Sequence, residues 1–401
     1  MLNIILLGDL VSFDNFQCEL PEEASLVIFN LEAPIIENYF NPIPKAGPNL
    51  YSLKLYSPSN NKNIKLLACL ANNHMMDFGK NGMEKTIFEC NKRNIETIGI
   101  GNNLSEARES KIITINNKII GIINCCERQF GVAGYTMGGV ANIGPWIYKE
   151  IIRLKSITDI VIISIHGALE DSCWPSPEWQ ELLRSFIDVG ANIVHGHHSH
   201  VPQGFEEYKN GLIYYGLGNF VVDPQKWDKN FNNLWSIVPQ ISIDNQNQLI
   251  YKNRVALIES NKGINIKLIE IEKDSYYYNY LKRSNLPLND RNLLVSLWHE
   301  MAMITFSTHY SYYLKIKNKY KIINRQNIIL FFKTIAYQIL KFSKARNNSK
   351  INKFLLLYHI FSCETHSNAI FTSLGILSGE IEDKRNKKSE ILKQEFLLDH
   401  I

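Results

Sequence analysis

The first 260 residues alternate short apolar runs with polar, helix-like stretches. The apolar runs, which are rich in β-branched residues, are Asn3–Leu7, Leu26–Phe29, Ile64–Leu70, Ile112–Ile123, Asp159–Ile165, Ala191–Val194 and Gly211–Tyr215. Between them, Asn81–Lys92 and Pro177–Val189 carry apolar residues at three- and four-residue spacing, which predicts amphipathic helices. Continuous apolar strands that alternate with helices predict an α/β fold whose sheet is covered on both faces. Ser236–Ile243 and Ile264–Ile271 alternate more regularly and predict half-exposed strands that add antiparallel pairs.

The character of the sequence changes near Asp274. Beyond this residue Tyr, Lys, Asn and Ile are frequent, and the helical patterns are Asn289–Tyr310, Gln326–Phe342 and Ile351–Phe361. We therefore divide the chain into an α/β part, residues 1–275, and a basic, mostly α-helical part, residues 276–401.

Charge is unevenly divided between these two parts, although the net charge of the 401 residues is only +4. Residues 276–401 hold 19 basic and 9 acidic side chains, whereas residues 1–275 hold 24 basic and 30 acidic ones. This division argues against nucleic-acid binding along the whole chain, and no nucleic-acid module is recognisable. The basic part has two interpretations. It is either a helical bundle with a solvated lysine face, or a surface for anionic lipid, a polyanionic polymer or a lipid-linked intermediate.

Cysteine usage and the N-terminal sequence bear on the compartment. The seven cysteines are scattered and include no Cys-x-x-Cys pair, which fits a reducing environment better than a disulfide framework. The apolar run after Met1 is too short for a signal peptide. The sequence contains no run of about 18 apolar residues of the kind that predicts a membrane span. These features predict a cytoplasmic protein, and peripheral membrane contact stays open as an alternative.

Polar side chains directly follow five of the apolar runs. They are Asp9, Glu32, Asn73 with His74, His166, and the histidines from His195 to His200. In an α/β sheet the carboxyl ends of the strands form the crevice where ligands bind, so we expect these five positions to converge. Each has an ordinary explanation when taken alone, because an aspartate after a strand often caps a helix or forms a turn.

The histidine cluster is the most informative of these segments. Four imidazoles lie within six residues, at His195, His197, His198 and His200. Imidazoles in such a group are costly to bury without partners, so a metal site is the favoured explanation. Oxygen and imidazole ligands without thiolates suit Mn, Fe, Zn or Co. In an extended segment, His198 and His200 point to one side and His197 points away. A carboxylate from Asp9 or Glu32 can bridge two ions about 3.5–4 Å apart, as in-line displacement at phosphorus requires.

Six ordered segments of the chain resemble the motif series of the CapA family, the poly-γ-glutamate capsule-synthesis branch of the calcineurin-like metallophosphoesterases. They are Gly8-Asp9, Asn30-Leu31-Glu32, Ala71-Asn72-Asn73-His74-x-x-Asp77-x-Gly79, His166…Glu170, Gly196-His197-His198-Ser199-His200-Val201 and Gly216-Leu217-Gly218-Asn219-Phe220. The resemblance covers residues 1 to about 225. It implies a four-layer α/β/β/α metallophosphoesterase-like sandwich over residues 1–275, with a centre of two divalent metal ions.

The resemblance also implies roles for individual residues. Asp9 and His200 are expected on one metal ion, Glu32 is expected to bridge, and the second ion is expected on Asn73, His166 and His198. His74 corresponds to the catalytic histidine of the family, which donates a proton to the leaving oxygen or stabilises charge at phosphorus. Four further candidates for supporting or substrate-contacting roles are Asp77, Glu170, His197 and Asn219.

Two segments depart from the family pattern. Many metallophosphoesterases open with Asp-x-His, whereas this chain has Asp9-Leu10-Val11, which implies one protein ligand fewer on the first ion. The usual His-Trp-Gly-x-Glu is replaced by His166-Gly167-Ala168-Leu169-Glu170, so we expect a different wall on the substrate side.

The function implied by the resemblance is metal-dependent hydrolysis of a phosphoester or related bond in capsule or envelope polymer metabolism. The substrate would then be a phosphorylated or anionic polymer, or an intermediate in its synthesis. A non-hydrolytic role is the alternative, in which the metal centre belongs to a polymer-synthesis assembly and binds or transfers a γ-glutamyl or saccharide chain. If the basic C-terminal part is a binding surface rather than a helical bundle with a solvated lysine face, an anionic membrane surface or a synthase is its expected partner.

Overall fold

The computed structural model describes residues 1–11, 15–38, 41–223, 234–260, 263–314, 316 and 353–398. Its strands, numbered in chain order, are β1 Leu2–Leu10, β2 Phe16–Cys18, β3 Leu26–Leu31, β4 Lys65–Cys69, β5 Ile95–Ile98, β6 Ile100–Gly101, β7 Lys111–Ile115, β8 Lys118–Cys126, β9 Gly139–Val140, β10 Ile160–His166, β11 Ile193–His197, β12 Phe205–Tyr208, β13 Gly211–Tyr214, β14 Asn219–Val221, β15 Trp235–Ile243, β16 Leu249–Ser260 and β17 Ile264–Glu270.

The helices are numbered in chain order in the same way. They are α1 Gly79–Lys92, α2 Leu104–Ala107, α3 Trp146–Lys155, α4 Pro177–Val189, α5 Tyr276–Asn285, α6 Arg291–Thr305, α7 Ser311–Tyr313, α8 Lys353–Ser362, α9 Glu364–Ser378 and α10 Lys387–Leu398. A 3₁₀ turn, Leu286–Asn289, precedes α6, and a π-helical turn, Phe306–Tyr310, follows it.

Most of the strands form two large sheets. The first follows the order β2, β17, β16, β15, β1, β3, β4, β5, with β14 beside β1. The second follows the order β12, β13, β11, β10, β8, β7, and β6 pairs with β9 separately. In the first sheet β1, β3, β4 and β5 are parallel, whereas β15, β16 and β17 are antiparallel additions, as predicted.

The side chains of each strand alternate between two apolar layers. Ile4, Leu6 and Ile28 of the first sheet pack with Ile120 and Ile162 of the second, which places one core between the sheets. The opposite faces pack against helices. Ile5 and Phe29 lie with Cys90 of α1, and Ile163 lies with Leu183 and Phe186 of α4 and Ile151 of α3. The order of layers is therefore helix, sheet, sheet, helix, which confirms the α/β/β/α sandwich.

The local predictions hold best where helix punctuation is explicit. The predicted helix Pro177–Val189 has the observed bounds, with the Ser176 side chain accepting a hydrogen bond from the backbone N–H of Trp179 and with Gly190 at its end. The single predicted run Ile112–Ile123 is wrong, because β7 and β8 form a hairpin there. Its turn, Asn116-Asn117, has positive φ angles of 51° and 61°, which suit a two-residue hairpin loop.

Strand β15 also differs from expectation, since it is almost entirely buried rather than half-exposed. Residues after position 275 cover it. The ring of Trp235 lies 5.0 Å from the rings of both Tyr277 and Tyr280 on α5. Phe396 on α10 joins the core between the sheets. The proposed boundary at residue 275 falls between β17 and α5 and stays a prediction.

The C-terminal helices form a smaller core of their own. Trp298 of α6, Ile360 of α8 and Ile370 of α9 pack there, together with Leu169 from the α/β part. The predicted helix Gln326–Phe342 lies outside the described residues. None of the helices in the described parts of the chain is long and apolar enough to cross a bilayer.

Candidate metal centre

The strand ends of the two sheets meet at one buried crevice. Asp9 lies at the end of β1 and Glu32 follows β3, its parallel neighbour in the first sheet. His166 ends β10 and pairs in register with His197 at the end of β11, in the second sheet. The first sheet therefore supplies carboxylates and the second supplies imidazoles, and the sandwich places them face to face.

Asp9 is held in one orientation by three neighbours. Its Oδ1 accepts a hydrogen bond from Asn30 Nδ2 at 2.8 Å and lies 2.9 Å from His197 Nδ1. Its Oδ2 accepts from the backbone N–H of His198 at 3.2 Å and lies 3.6 Å from His200 Nδ1. Burial alone would raise the pKa of Asp9, but the hydrogen bond and charge of His197 outweigh it and hold the pKa below its usual value.

Glu32 differs from Asp9 in that its pKa is raised rather than lowered. It is fully buried, and neither carboxylate oxygen accepts a hydrogen bond from any residue that the structure describes. Its Oε1 lies 3.8 Å from the Nε2 atoms of both His166 and His200. Burial, followed by the nearby Asp9 carboxylate, raises the pKa of Glu32 well above its usual value. A carboxylate in such a place suits a cation, because an uncompensated buried charge is expensive.

His166 stands among further donor atoms on the other side of Glu32. Its Nε2 lies 3.0 Å from Asn73 Oδ1 and 3.1 Å from His198 Nδ1, and its Nδ1 lies 3.2 Å from Asn30 Nδ2. Burial lowers the pKa of His166 well below its usual value, and the neighbouring imidazoles lower it further. The ring is therefore neutral and keeps a nitrogen lone pair for a metal ion.

Three groups of side chains in the described residues bring ligand atoms within 4.8 Å of one another. The groups are Asp9 with Glu32 and His200, Glu32 with His166 and His198, and Glu170 with His198 and His200. Glu32, His198 and His200 each belong to two of the groups, and Glu32 is the carboxylate among these three. The residues present therefore fit divalent metal ions, and the six predicted ligands lie together.

The loop after β11 reaches the centre in a different way from the one predicted. His198 and His200 have positive φ angles of 86° and 58°, so the segment is not extended and the alternation argument is wrong. Both rings nevertheless face the crevice, with centroids 6.0 Å apart. His197, still in the strand, connects Asp9 to the buried His195, whose Nδ1 lies 3.1 Å from His197 Nε2.

The Gly-Leu-Gly-Asn segment has a structural explanation that its sequence did not provide. A Cβ atom on Gly8 would lie 2.0 Å from the carbonyl oxygen of Gly218, so β1 and β14 approach closely only without a side chain there. This approach places Asn219, whose Oδ1 lies 3.2 Å from His200 Nδ1. Asn219 thereby orients a predicted ligand.

His74 lies beside the centre in a buried polar group. Its Nδ1 lies 2.8 Å from Asp77 Oδ2 and 3.0 Å from Lys45 Nζ. Lys45 is only 3% exposed and also contacts Asp77 Oδ1 and the backbone carbonyl of Asn73. Burial, followed by the charge of Lys45, lowers the pKa of His74. Lys45 could not be singled out from the sequence, since a lysine between proline and alanine in a loop has no distinguishing pattern.

Glu127 is a second residue that sequence reasoning missed. It follows β8 and is buried, and its Oε1 accepts hydrogen bonds from the backbone N–H and the hydroxyl of Thr365 at 2.8 and 2.6 Å. Its Oε2 accepts from the backbone N–H of Ala168, in the loop after His166, at 3.2 Å. Burial raises the pKa of Glu127 to about 7. The carboxylate thus joins helix α9 to the loop that carries Glu170.

Comparison with known proteins identifies the family. Residues 13–224 match the profile of the bacterial capsule synthesis protein PGA_cap, which is more than half of the chain. The chain belongs to this capsule synthesis family. The PGA biosynthesis protein CapA of Bacillus subtilis is 30% identical over 215 residues, which cover 50% of this chain and 56% of the relative. The capsule biosynthesis protein CapA of Bacillus anthracis is 32% identical over 167 residues, or 40% of either chain.

These matches cover only part of each relative. The chain spans about half the length of the curated relatives it matches, or less. A solved structure, a putative 5'-nucleotidase from Staphylococcus aureus, is 14% identical, with a TM-score of 0.35 over 57% of this chain and 43% of that one. A TM-score this low does not support a conclusion about the fold or the function of this chain. The fold assignment rests on the strand order and packing described above.

The two departures from the metallophosphoesterase motifs have visible consequences. Val11, at the position of the missing histidine, is buried in the apolar layer with Phe220 and Val221. A Cβ atom on Gly167 would lie 2.6 Å from the ring of Trp179, so an aromatic side chain from α4 occupies the space beside this loop. Leu169 packs into the core of the C-terminal helices. In this member of the capsule synthesis family, the wall after His166 therefore depends on the C-terminal part.

Proposed function

We propose that this chain is a metal-dependent hydrolase that acts on a phosphoester or a related bond in capsule or envelope polymer metabolism. One observation carries the proposal. The fully buried carboxylate of Glu32 lies between two sets of ligand atoms and receives no hydrogen bond from the described residues. A cation on each side of this carboxylate would offset the cost of burying its charge.

The ligand set supports two divalent ions. Asp9 and His200 would hold one, Asn73, His166 and His198 would hold the other, and Glu32 would bridge them. The absence of thiolates among these ligands favours Mn, Fe, Zn or Co. Such ions supply Lewis acidity, which activates water near neutral pH and neutralises charge on a phosphoryl group.

His74 would protonate the leaving oxygen or stabilise charge at phosphorus. Its Nδ1 is occupied by Asp77 and Lys45, so Nε2 is the nitrogen left for the substrate. The lowered pKa keeps the ring neutral near pH 7, and with Lys45 Nζ donating to Nδ1 its one proton lies on Nε2. In that state Nε2–H would donate a hydrogen bond to charge developing on the substrate, whereas full transfer of a proton to the leaving oxygen would come from the protonated ring. Asp77 and Lys45 would act by holding the ring in place.

Three further residues would support the centre without bond-making roles. His197 and Asn30 fix the orientation of Asp9, and Asn219 does the same for His200. Partners of this kind set the geometry and basicity of metal ligands. Glu170 is more exposed, with Oε1 at 3.6 Å from His198 Nε2, and would face the substrate side.

The test is a substrate panel assayed with full-length protein of known metal content. Purified chain supplied with Mn²⁺ is expected to hydrolyse generic aryl phosphomonoesters or phosphodiesters, and His74→Asn is expected to lose at least about 100-fold in kcat while keeping its metal. Glu84→Gln, on the exposed face of α1, is the matched control for handling and folding. Full activity in Asp9→Asn or Glu32→Gln would contradict the proposal.

A non-hydrolytic role is the second candidate, and the names of the relatives favour it. Those names refer to PGA and capsule biosynthesis, and others in the same comparison refer to a probable polyglutamine synthesis accessory protein. In this version the metal centre binds or transfers a γ-glutamyl or saccharide chain within a synthesis assembly. Metal-loaded protein that hydrolyses no phosphoester but copurifies with a synthase would favour it.

We also propose that the basic C-terminal part contacts a synthase or an anionic membrane surface. The proposal rests on the excess of basic residues after position 275. Nine of these 19 basic residues, and none of the acidic ones, fall in residues 317–352, which lie outside the described part of the chain. Cosedimentation of the full chain with vesicles containing phosphatidylglycerol, at low and high salt, tests it. Equal sedimentation with neutral vesicles would contradict it.

A further inference from the structure

A cavity of about 480 Å³ lies next to the buried polar group that holds His74. Its lining includes Lys45 and Asp77, the two residues that contact His74 Nδ1. The other lining residues come from the loop around Ile43, residues 76–80, Asn102, the 130–138 loop and His359 of α8. The cavity is therefore separated from the ring of His74 by the Lys45–Asp77 pair.

The walls of the cavity are mainly apolar. Phe130 forms one wall, with its ring edge-on to the ring of His359 at 4.5 Å and with Lys45 Nζ 4.7 Å from its centroid. Met76 and Met137 add thioether surface. A Cβ atom on Gly131 would lie 2.4 Å from Met76 Cβ, so the wall closes up only with glycine there.

Charge inside the cavity is balanced. The only carboxylate in the lining, Asp77, is paired with Lys45. Lys80, at the rim, lies 3.5 Å from Glu84. Burial, followed by the charge of Lys45, lowers the pKa of His359 to about 4, so this ring is neutral near pH 7. The cavity thus offers little to attract a second anionic group and much apolar surface for an uncharged one.

The C-terminal part of the chain completes this cavity. His359 is 8% exposed, and its Nδ1 accepts a hydrogen bond from the backbone N–H of Ala46 at 3.3 Å. Immediately after α8, Thr365 is fastened to Glu127. Residue 359 lies beyond the segment 13–224 that matches the family. The features that choose a substrate are therefore partly this chain's own.

We propose that this cavity, the leaving-group pocket (Lys45, Met76, Phe130, Met137 and His359), binds the departing alcohol of a phosphoester substrate and selects an uncharged, largely apolar alcohol. The proposal rests on the hydrolytic function proposed above and adds the class of leaving group. The phosphoryl group would lie at the metal centre with its ester oxygen at His74 Nε2, and the alcohol would extend past the Lys45–Asp77 pair into the pocket.

The test compares two substrates with different leaving groups, each assayed with metal-loaded full chain. 1-Naphthyl phosphate has a large apolar leaving group, and glycerol 1-phosphate, also a phosphomonoester, has a small polar one. Phe130→Ala is expected to lower kcat/KM for 1-naphthyl phosphate by about 10- to 100-fold, since an aromatic contact of this size is lost, and to change that for glycerol 1-phosphate by less than about threefold. Phe88→Ala, an exposed phenylalanine on α1, is the matched control and should alter neither.

Binding of 1-naphthol, the departing alcohol itself, separates the pocket from the reaction. Calorimetry with wild type is expected to show one binding site for 1-naphthol per chain. Met137→Ala, which changes a residue that is 65% exposed, is expected to weaken this binding. If wild type binds 1-naphthol but hydrolyses no phosphoester, the proposed hydrolysis fails and the pocket stands. If hydrolysis occurs but Phe130→Ala and Met137→Ala lower both substrates equally, or 1-naphthol does not bind, the pocket proposal is overturned.

Discussion

Glu32→Gln separates the metal-binding role of Glu32 from its role in packing, because glutamine keeps the shape and removes the charge. In metal-free protein the raised pKa of Glu32 means that the folded chain retains a proton that the unfolded chain releases. This contribution to the free energy of unfolding is complete below the ordinary pKa of 4.5 and is lost as pH rises through the folded pKa. Each pKa unit between the two states corresponds to about 1.4 kcal/mol. Metal-free Glu32→Gln has no carboxyl group at this position, so its free energy of unfolding should not fall in this way as pH rises.

Bound metal ions should reverse this pH trend, so that the stability of wild type rises with pH instead of falling. Saturating Mn²⁺, at about 100 times its Kd, stabilises the folded wild type by about 2.7 kcal/mol. For this chain of 401 residues, with about 2.1 cal/mol/K of unfolding entropy per residue, that corresponds to roughly 3 °C in Tm. Since metal binding requires the ionised carboxylate, the stabilisation should grow as pH rises. In Glu32→Gln we expect a shift of less than about 1 °C, because the bridging ligand has lost its charge.

The assay is thermal unfolding followed by circular dichroism between about pH 5.5 and pH 8, with chelator or with Mn²⁺. Wild type is expected to lose stability with pH in chelator and to gain it in Mn²⁺, whereas Glu32→Gln should follow neither trend. Glu84→Gln, an exposed residue on α1, should behave as wild type. Equal Mn²⁺ shifts in wild type and Glu32→Gln would refute the assignment of Glu32 as the bridge.

Three other substitutions have defined outcomes. Lys45→Met should destabilise the chain by about 3–5 kcal/mol in urea, because it removes the cation from the buried Asp77 carboxylate, which keeps only its contacts with His74 Nδ1 and the backbone N–H of Leu50. Adding Asp77→Asn should restore much of that loss. Gly8→Ala should cost at least about 3 kcal/mol, since its Cβ would lie 2.0 Å from a backbone carbonyl. Gly144→Ala, with no atom closer than 3.4 Å, is its control, and equal costs would contradict the close approach. Glu127, whose pKa is raised to about 7, should contribute a fall in stability between about pH 4.5 and pH 7; a Glu127→Gln series with an unchanged pH profile would exclude that contribution.

The positions at strand ends could be predicted because parallel pairing is a strong constraint. Once β1 and β3 are neighbours in register, Asp9 and Glu32 must leave the sheet at the same edge. The same holds for His166 and His197 in the second sheet. A run of apolar residues followed by a ligand-type side chain therefore contains most of the information needed to locate this centre.

The residues that sequence reasoning missed are placed by contacts between distant segments. Lys45 lies in a loop, and its burial depends on Phe130, Asp77 and the C-terminal His359. Glu127 faces Thr365, more than 200 residues away, across an interface that no local pattern describes. The loop conformation at His198 failed for a related reason. Its positive φ accompanies a hydrogen bond from its backbone N–H to Asp9, in the other sheet.

Anomalous diffraction from crystals of the full chain soaked in Mn²⁺ tests the two-ion centre most directly. We predict two peaks, one among Asp9, Glu32 and His200 and one among Glu32, Asn73, His166 and His198, with Glu32 contacting both. Loss of both peaks in Glu32→Gln crystals would agree with bridging by this carboxylate. Well-ordered wild-type crystals with no anomalous peak at Glu32, or with manganese bound only elsewhere on the chain, would contradict it.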